Sequence, residues 1–317
     1  MFTIVGSTNL RVSMPCSYEM SDIKWCISHS QVDLIRHVLS KKTSRLIEDY
    51  FDYATFASNY LPQFLALSDE VSRRLENKFR FVVIRNTPFV AYEYKICRFL
   101  FLVLASLIGI PTCTSLPGKN RKDIVWEVKP KLKISDTQIH SQSNYFVEPH
   151  TDASYKDIPD RYVALLAIHP AMNSEGTNIL VDGQKLVDRL VEIDKNMHDF
   201  LTLDFPFKVP DIFCPDTNSG VKIKNFPIFQ SEPFLIRYSW NYIRDGQRNI
   251  TNSCHMDSSL DLFREVLKNL PQYFIHLNKG DLLILNNHEI LHGRTEFSDL
   301  NRLLLRVRMQ ALDKSTK

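Results

Sequence analysis

Two short stretches hold side chains that could do chemistry together. The first reads LNNHEILHGRTEF, residues 285 to 297, and within it His288-Glu289-Ile290-Leu291-His292 matches H-E-x-x-H. The second, VEPHTDASYKDIPDRY, residues 147 to 162, places His150 and Asp152 two positions apart. H-E-x-x-H binds zinc only on a helix, where i and i+4 put both imidazoles on one face and the Glu activates a zinc-bound water. The surroundings argue against a helix. KGDLLILNN reads as a Gly-Asp turn followed by an apolar strand, Asn286-Asn287 reads as a strand-ending pair, and Gly293 follows His292 at once. A zinc protease also needs a third ligand, and the only glutamate after His292 is Glu296. His288 is expected in a loop, with Glu289 as a solvated neighbour.

On an extended strand, alternate side chains project to one face ~6–7 Å apart, so His150 and Asp152 can converge on one cation. With His292 they make two imidazoles and a carboxylate, the facial triad of non-haem Fe(II) oxygenases, which leaves positions open. Zinc takes the same donors, so the ligand set alone does not decide. Further on runs NRLLLRVRMQ, 301 to 310, where Arg302, Arg306 and Arg308 share one face of a strand and Leu303, Leu305 and Val307 the other. If that face is buried, each guanidinium needs an anion, and its planar fork suits a carboxylate.

The elements that would position these groups follow from periodicity. Phe64, Leu67, Val71 and Leu75 mark one helix after Pro62, and an apolar helix spans about 93 to 109. FRFVVIR, 79 to 85, reads as a strand. From about 122 short strands dominate: DIVWEVK, RYVALLAI, TNILVD, FPFKV, PFLIRYSW, YFIHL, DLLILNN and RLLLRVRMQ, interrupted by helices at 183 to 193 and 257 to 270, the second capped by Asp257 or Ser258. This predicts an all-β core with helices (α+β), a sandwich or barrel carrying an N-terminal helical layer, in a single domain over 1–317, with residues 1–120 as the helical part. Segments 112 to 122 and 211 to 225 are the least readable and are candidate lid loops.

Composition limits the function. The chain has 317 residues, 44% of them hydrophobic and 24% charged, and a net charge of +3. That is enough for a sizeable core and too little charge for a nucleic-acid partner. The six cysteines are scattered, which suits free thiols in a reducing compartment. No leader-like segment opens the chain, and the apolar run 96 to 111 contains Arg98 and is short for a bilayer span, so a cytoplasmic location without membrane contact is expected.

Taken together, PHTD, the EGT triplet at 175 to 177, the KGDLLILNN strand, HGRTEF and the arginines of RLLLR resemble the Fe(II)/2-oxoglutarate-dependent oxygenases, in particular the group of taurine dioxygenase, clavaminate synthase and asparagine oxygenase. The resemblance covers about residues 79 to 310. It implies a double-stranded β-helix, or jelly roll, with iron held by His150, Asp152 and His292. It implies that Thr177, in the place of the family's G-G-x-T threonine, bonds the 2-oxoglutarate carboxylate and that Arg302 pairs with its C5 carboxylate. Arg306 would meet an acidic group of the primary substrate, although which of Arg302 and Arg306 holds 2-oxoglutarate stays open. Glu175 stands where the family has its first glycine. Ser239 and Asn241 stand on the expected strand RYSWNYI, where amino-acid hydroxylases of the group often carry an aspartate. A carboxylate at Asp152, where related halogenases have a small residue, implies hydroxylation or desaturation of a small acid- or amino-acid-derived molecule with O2, and release of succinate and CO2. The alternatives are a zinc-dependent hydrolase using His288 and His292, or a non-catalytic jelly-roll binding protein.

Overall fold

A computed structural model describes residues 11–12, 19–20, 27–41, 51–77, 79–115, 122–131, 140–210, 221–248 and 254–312. The opening residues, most of the two candidate lid loops, and Cys16, Cys26 and Cys214 lie outside them; Cys97 is a buried free thiol. The strands are β1 (Arg11–Val12), β2 (Glu19–Met20), β3 (Phe81–Ile84), β4 (Gly109–Pro111), β5 (Thr114–Ser115), β6 (Lys122–Asp123), β7 (Trp126–Val128), β8 (Val147–His150), β9 (Tyr162–His169), β10 (Asn178–Asp182), β11 (Asp204–Lys208), β12 (Ile223–Pro227), β13 (Phe229–Gln230), β14 (Leu235–Ile236), β15 (Gln272–Ile275), β16 (Leu282–Asn286), β17 (Ile290–Arg294) and β18 (Leu303–Ala311). The helices are α1 (His29–Lys41), α2 (Tyr53–Tyr60), α3 (Pro62–Glu76), α4 (Tyr94–Ile108), α5 (Gly183–Ile193), α6 (Met197–Leu201), α7 (Trp240–Gln247) and α8 (Cys254–Asn269).

Two sheets face each other in a jelly-roll core. The major sheet has seven strands in the order β2-β3-β16-β9-β18-β4, with β7 also paired to β18; the minor sheet has five, β1-β15-β10-β17-β8. Alternation sorts the side chains. Val83, Val163, Leu283 and Leu304 of the major sheet meet Leu180, Ile275 and Ile290 of the minor sheet between the layers. The opposite face of the major sheet, including Leu305, Val307 and Met309, packs on the helical layer. There Phe64, Leu67, Val71 and Leu75 of α3 are all buried, as their spacing requires, and α4 buries ten residues. A second cluster, built from α5, α7, α8 and β11, packs with Val181 of β10 and Leu291 of β17 in the minor sheet. The first 120 residues contribute α1–α4 and also β1–β5, with β3 inside the major sheet.

Two expectations need correcting. RYSWNYI is not a strand: β14 ends at Ile236, Ser239 caps α7 with extended backbone, and Trp240 begins the helix. The last helix starts at Cys254, ahead of Asp257 and Ser258. Among the described residues no helix is long and apolar enough to cross a membrane.

Candidate metal centre

β8 and β17 pair antiparallel, with His150 directly opposite His292. Side chains opposite each other share a face, so both imidazoles enter the space between the sheets, with ring centroids 4.7 Å apart. Asp152 joins them from beyond the end of β8. It does not continue the strand: Ala153 has a φ of 56°, and the chain turns away. His150 Nε2 lies 3.7 Å and His292 Nε2 3.9 Å from Asp152 Oδ1. One donor atom from each residue fits within a 4.8 Å spread, close enough for a single ion.

The protonation states suit a cation. His150 Nδ1 is 2.9 Å from the Glu148 carbonyl, so Nδ1 carries the proton and Nε2 turns its lone pair to the cluster. Burial first, with Arg306 adding to it against the opposing pull of Asp152, pushes His292 down to about 3, which keeps it neutral. Burial, the largest single influence, would raise the Asp152 carboxyl, but Arg306, His150, His292 and Arg308 together outweigh it and hold the group well below the usual carboxylate range. Arg306 Nη1 sits 2.9 Å from Asp152 Oδ2. Two imidazoles and one carboxylate on one side of a cavity are the donor set of a non-haem iron centre.

The cavity, about 70 Å³, holds these three residues together with Arg302, Arg306 and Asn178. Arg302 is 4% exposed, its guanidinium stacks 4.9 Å from the Phe297 ring, and its Nη1 has no hydrogen-bond partner among the described residues. Burial, then the neighbouring Arg294, lowers its pKa to about 9. A buried guanidinium with an unsatisfied N–H is matched in charge and shape by a carboxylate. Gly176, at φ 62°, makes the approach feasible, since a Cβ there would stand 2.9 Å from Arg302 Nε. Arg308 points the same way but is occupied, with Nε 3.5 Å from the fully buried Asp160.

The other sequence candidates separate. The Thr177 hydroxyl donates to the Ser174 carbonyl at 2.6 Å, whereas Asn178 lines the cavity. Register explains it: Asn178 lies opposite Arg294, and Leu180 opposite His292, so the even-numbered residues of β10 face inward. H-E-x-x-H is not helical here. Its first half is a turn and its second half is β17, His288 Nε2 bonds the Pro159 carbonyl, and Glu289 pairs with Arg80, so the zinc-protease geometry is absent. Asn241 is exposed on α7, and Ser239 is buried at its start.

Comparison with known proteins agrees with this architecture. Residues 54–308 match the family described as Taurine catabolism dioxygenase TauD, TfdA family. The chain is 24% identical over 292 residues to the "Taurine hydroxylase-like protein SAT17" of Stachybotrys chartarum, covering 87% of this chain and 71% of that protein. Among solved structures it is similar to a mutant of the non-heme iron oxygenase OrfP in complex with (3S)-hydroxy-L-Arg, with a TM-score of 0.67, 16% identity, and coverage of 93% of this chain and 94% of that one. It is also similar to asparagine oxygenase in complex with Fe(II), 2S,3S-3-hydroxyasparagine and succinate, with a TM-score of 0.65, 14% identity and 93% of both chains covered. At such identities the structural likeness is one of fold, but the family match spans most of the sequence. This chain belongs to the taurine catabolism dioxygenase TauD, TfdA family, and its His-Asp-His cluster is built for that family's iron and 2-oxoglutarate chemistry.

Proposed function

We propose that the chain is an Fe(II)- and 2-oxoglutarate-dependent dioxygenase that hydroxylates, or desaturates, an unactivated C–H bond of a small molecule bearing an anionic group. One observation carries the reading: the His150, Asp152 and His292 donors share a cavity with Arg302, a buried guanidinium with a free N–H. The iron and keto acid, when bound, supply oxidative decarboxylation to succinate and CO2 and deliver one oxygen of O2 to the substrate. The chain's residues bind and orient. His150, fixed by Glu148, and His292, neutral by burial, offer lone pairs, and Asp152 offers the single negative charge.

Arg302 holds the distal carboxylate of 2-oxoglutarate, and Asn178, not Thr177, adds the neutral donor beside it. Asn178 Nδ2 gives one N–H to Ile275 O at 3.2 Å and keeps the other for a ligand. Arg306 takes the acidic group of the primary substrate. Its only ion pair among the described residues is with Asp152, and its Nε is unpartnered. The relatives bound to 3-hydroxy-L-Arg and 3-hydroxyasparagine favour an amino-acid-derived substrate. The test is 2-oxoglutarate consumption by the iron-loaded protein across a panel of amino acids, their peptides and sulfonates, read with product mass. A gain of one oxygen, or a loss of two hydrogens, coupled to succinate is expected. A protein that forms no succinate with or without any substrate, or a chlorinated product, would overturn the reading.

A further inference from the structure

Asp152 is the one metal-site donor that no sheet ladder holds, because it follows the end of β8 on a turn. Its backbone bonds go instead to one side chain. Asn287, fully buried, accepts from Asp152 N at 2.7 Å through Oδ1, and its Nδ2 donates to Asp152 O at 3.2 Å and Asp160 O at 2.7 Å. Its own N–H donates to Arg161 O at 2.7 Å. The amide therefore pinches both ends of the segment from 152 to 160. Two neighbours complete the closure. His288 bonds Pro159 O at 3.1 Å, and Arg237 donates to the carbonyls of Ser154, Lys156 and Asp157, the last at 2.9 Å. With Gln310, which donates to Ile158 O at 3.4 Å and Pro159 O at 3.3 Å, four side chains satisfy carbonyls along the loop.

We infer that Asn287 is a positioning residue for the metal centre: it sets where the Asp152 carboxylate points and thereby sets metal affinity. The inference rests on the proposed metal-binding role of the cluster. The geometry favours this over simple loop support. An amide side chain has one acceptor and two N–H groups, and here all are spent on backbone, two of the three bonds on the ligand residue itself. Asn287 also sits five residues before His292 in the same turn and strand, so one short segment supplies one ligand and orients another. A side chain that orients a first ligand governs affinity by ~10–100-fold in comparable sites.

The test measures Co(II) binding to full-length wild type, Asn287→Ala and Asn287→Leu, the last filling the space without hydrogen bonds. The expected result is a Co(II) dissociation constant weakened by ~10-fold or more, with changed visible bands of the bound ion, in variants whose metal-free circular dichroism matches wild type. Folded variants that bind Co(II) less than ~10-fold more weakly, with wild-type bands, overturn the inference, since a purely structural amide would leave the loaded site unaltered. Wild type that binds no Co(II) would instead overturn the metal-site reading itself. Hydrogen exchange on metal-free wild type decides the matter even if both variants unfold. The Asp152 amide, the donor to Asn287, is expected to be protected, and exchange at the rate of an open loop overturns the clamp.

Discussion

At the residue scale, the site is a set of buried polar groups whose costs are met by one another or by a ligand. Removing Asp152 takes away the only anion among the three donors, so Asp152→Ala should weaken metal binding by more than the ~10–100-fold seen when an outer partner is lost, measured by metal titration. Arg302→Gln should raise the KM or Kd for 2-oxoglutarate by roughly 100-fold, the effect of breaking a buried charge pair worth ~3 kcal/mol, with little effect on metal affinity. Asn178 and Thr177 give a sharper contrast. Asn178→Leu should cost about tenfold in 2-oxoglutarate affinity, as for one hydrogen bond to a charged group, while Thr177→Val should leave it within about twofold. The reverse order would return the donor role to Thr177. The resemblance offered Thr177 in the place of the family's G-G-x-T threonine; in the fold its hydroxyl donates to Ser174 O, while the next residue, Asn178, lines the cavity. Protonation adds a pH effect. His292 sits at about 3 in the fold against 6.5 when exposed, so the unfolded chain binds the extra proton as pH falls from 6.5 towards 3. The metal-free protein should be fully stabilised by this group above pH 6.5 and should lose about 2 kcal/mol by about pH 5, read from denaturant midpoints. His288, also lowered by burial, acts in the same direction.

At the element scale, the strands β8 and β17 must come close enough to set His150 against His292, and Gly293 permits it. A Cβ there would stand 2.5 Å from Val147 O and 2.9 Å from Pro149 N, both backbone atoms that cannot yield without parting the strands. Gly293→Ala should therefore lower both metal affinity and unfolding midpoint, and unchanged metal binding would show that the pair tolerates separation. Much of this scaffold was legible. The helix at Pro62–Glu76 follows from Phe64, Leu67, Val71 and Leu75, and β18 from the alternation of Arg306 and Arg308 with Leu305, Val307 and Met309, because both signals are periodic. RYSWNYI misled because its aromatic residues read as strand while Ser239 starts a helix. Two-residue strands such as β13 and β14 are too short to carry a period. The roles of Asn287 and Arg237 left no pattern either, since both side chains bond only main-chain atoms whose positions the fold sets.

At the scale of the whole molecule, the cavity joins two sheets. Arg302 and Arg306 come from the edge of β18 in the major sheet or within it, His150 and His292 from the minor sheet. A ligand that touches both layers ties them together only in the folded state, so its binding energy adds to folding stability. A divalent metal at about 100 times its dissociation constant should contribute about 2.7 kcal/mol, which for a chain of this size is a rise of roughly 5 °C in Tm. 2-Oxoglutarate, needing both the ion and Arg302, should raise Tm further only after the metal is present. Thermal scans with Mn(II) or Co(II), with the keto acid, and with both, then test the coupling directly. The metal shift should vanish in Asp152→Ala, and the additional keto-acid shift should vanish in Arg302→Gln while the metal shift persists. A keto-acid shift that needs no metal, or a metal shift that survives Asp152→Ala, would mean the two sheets do not share one site.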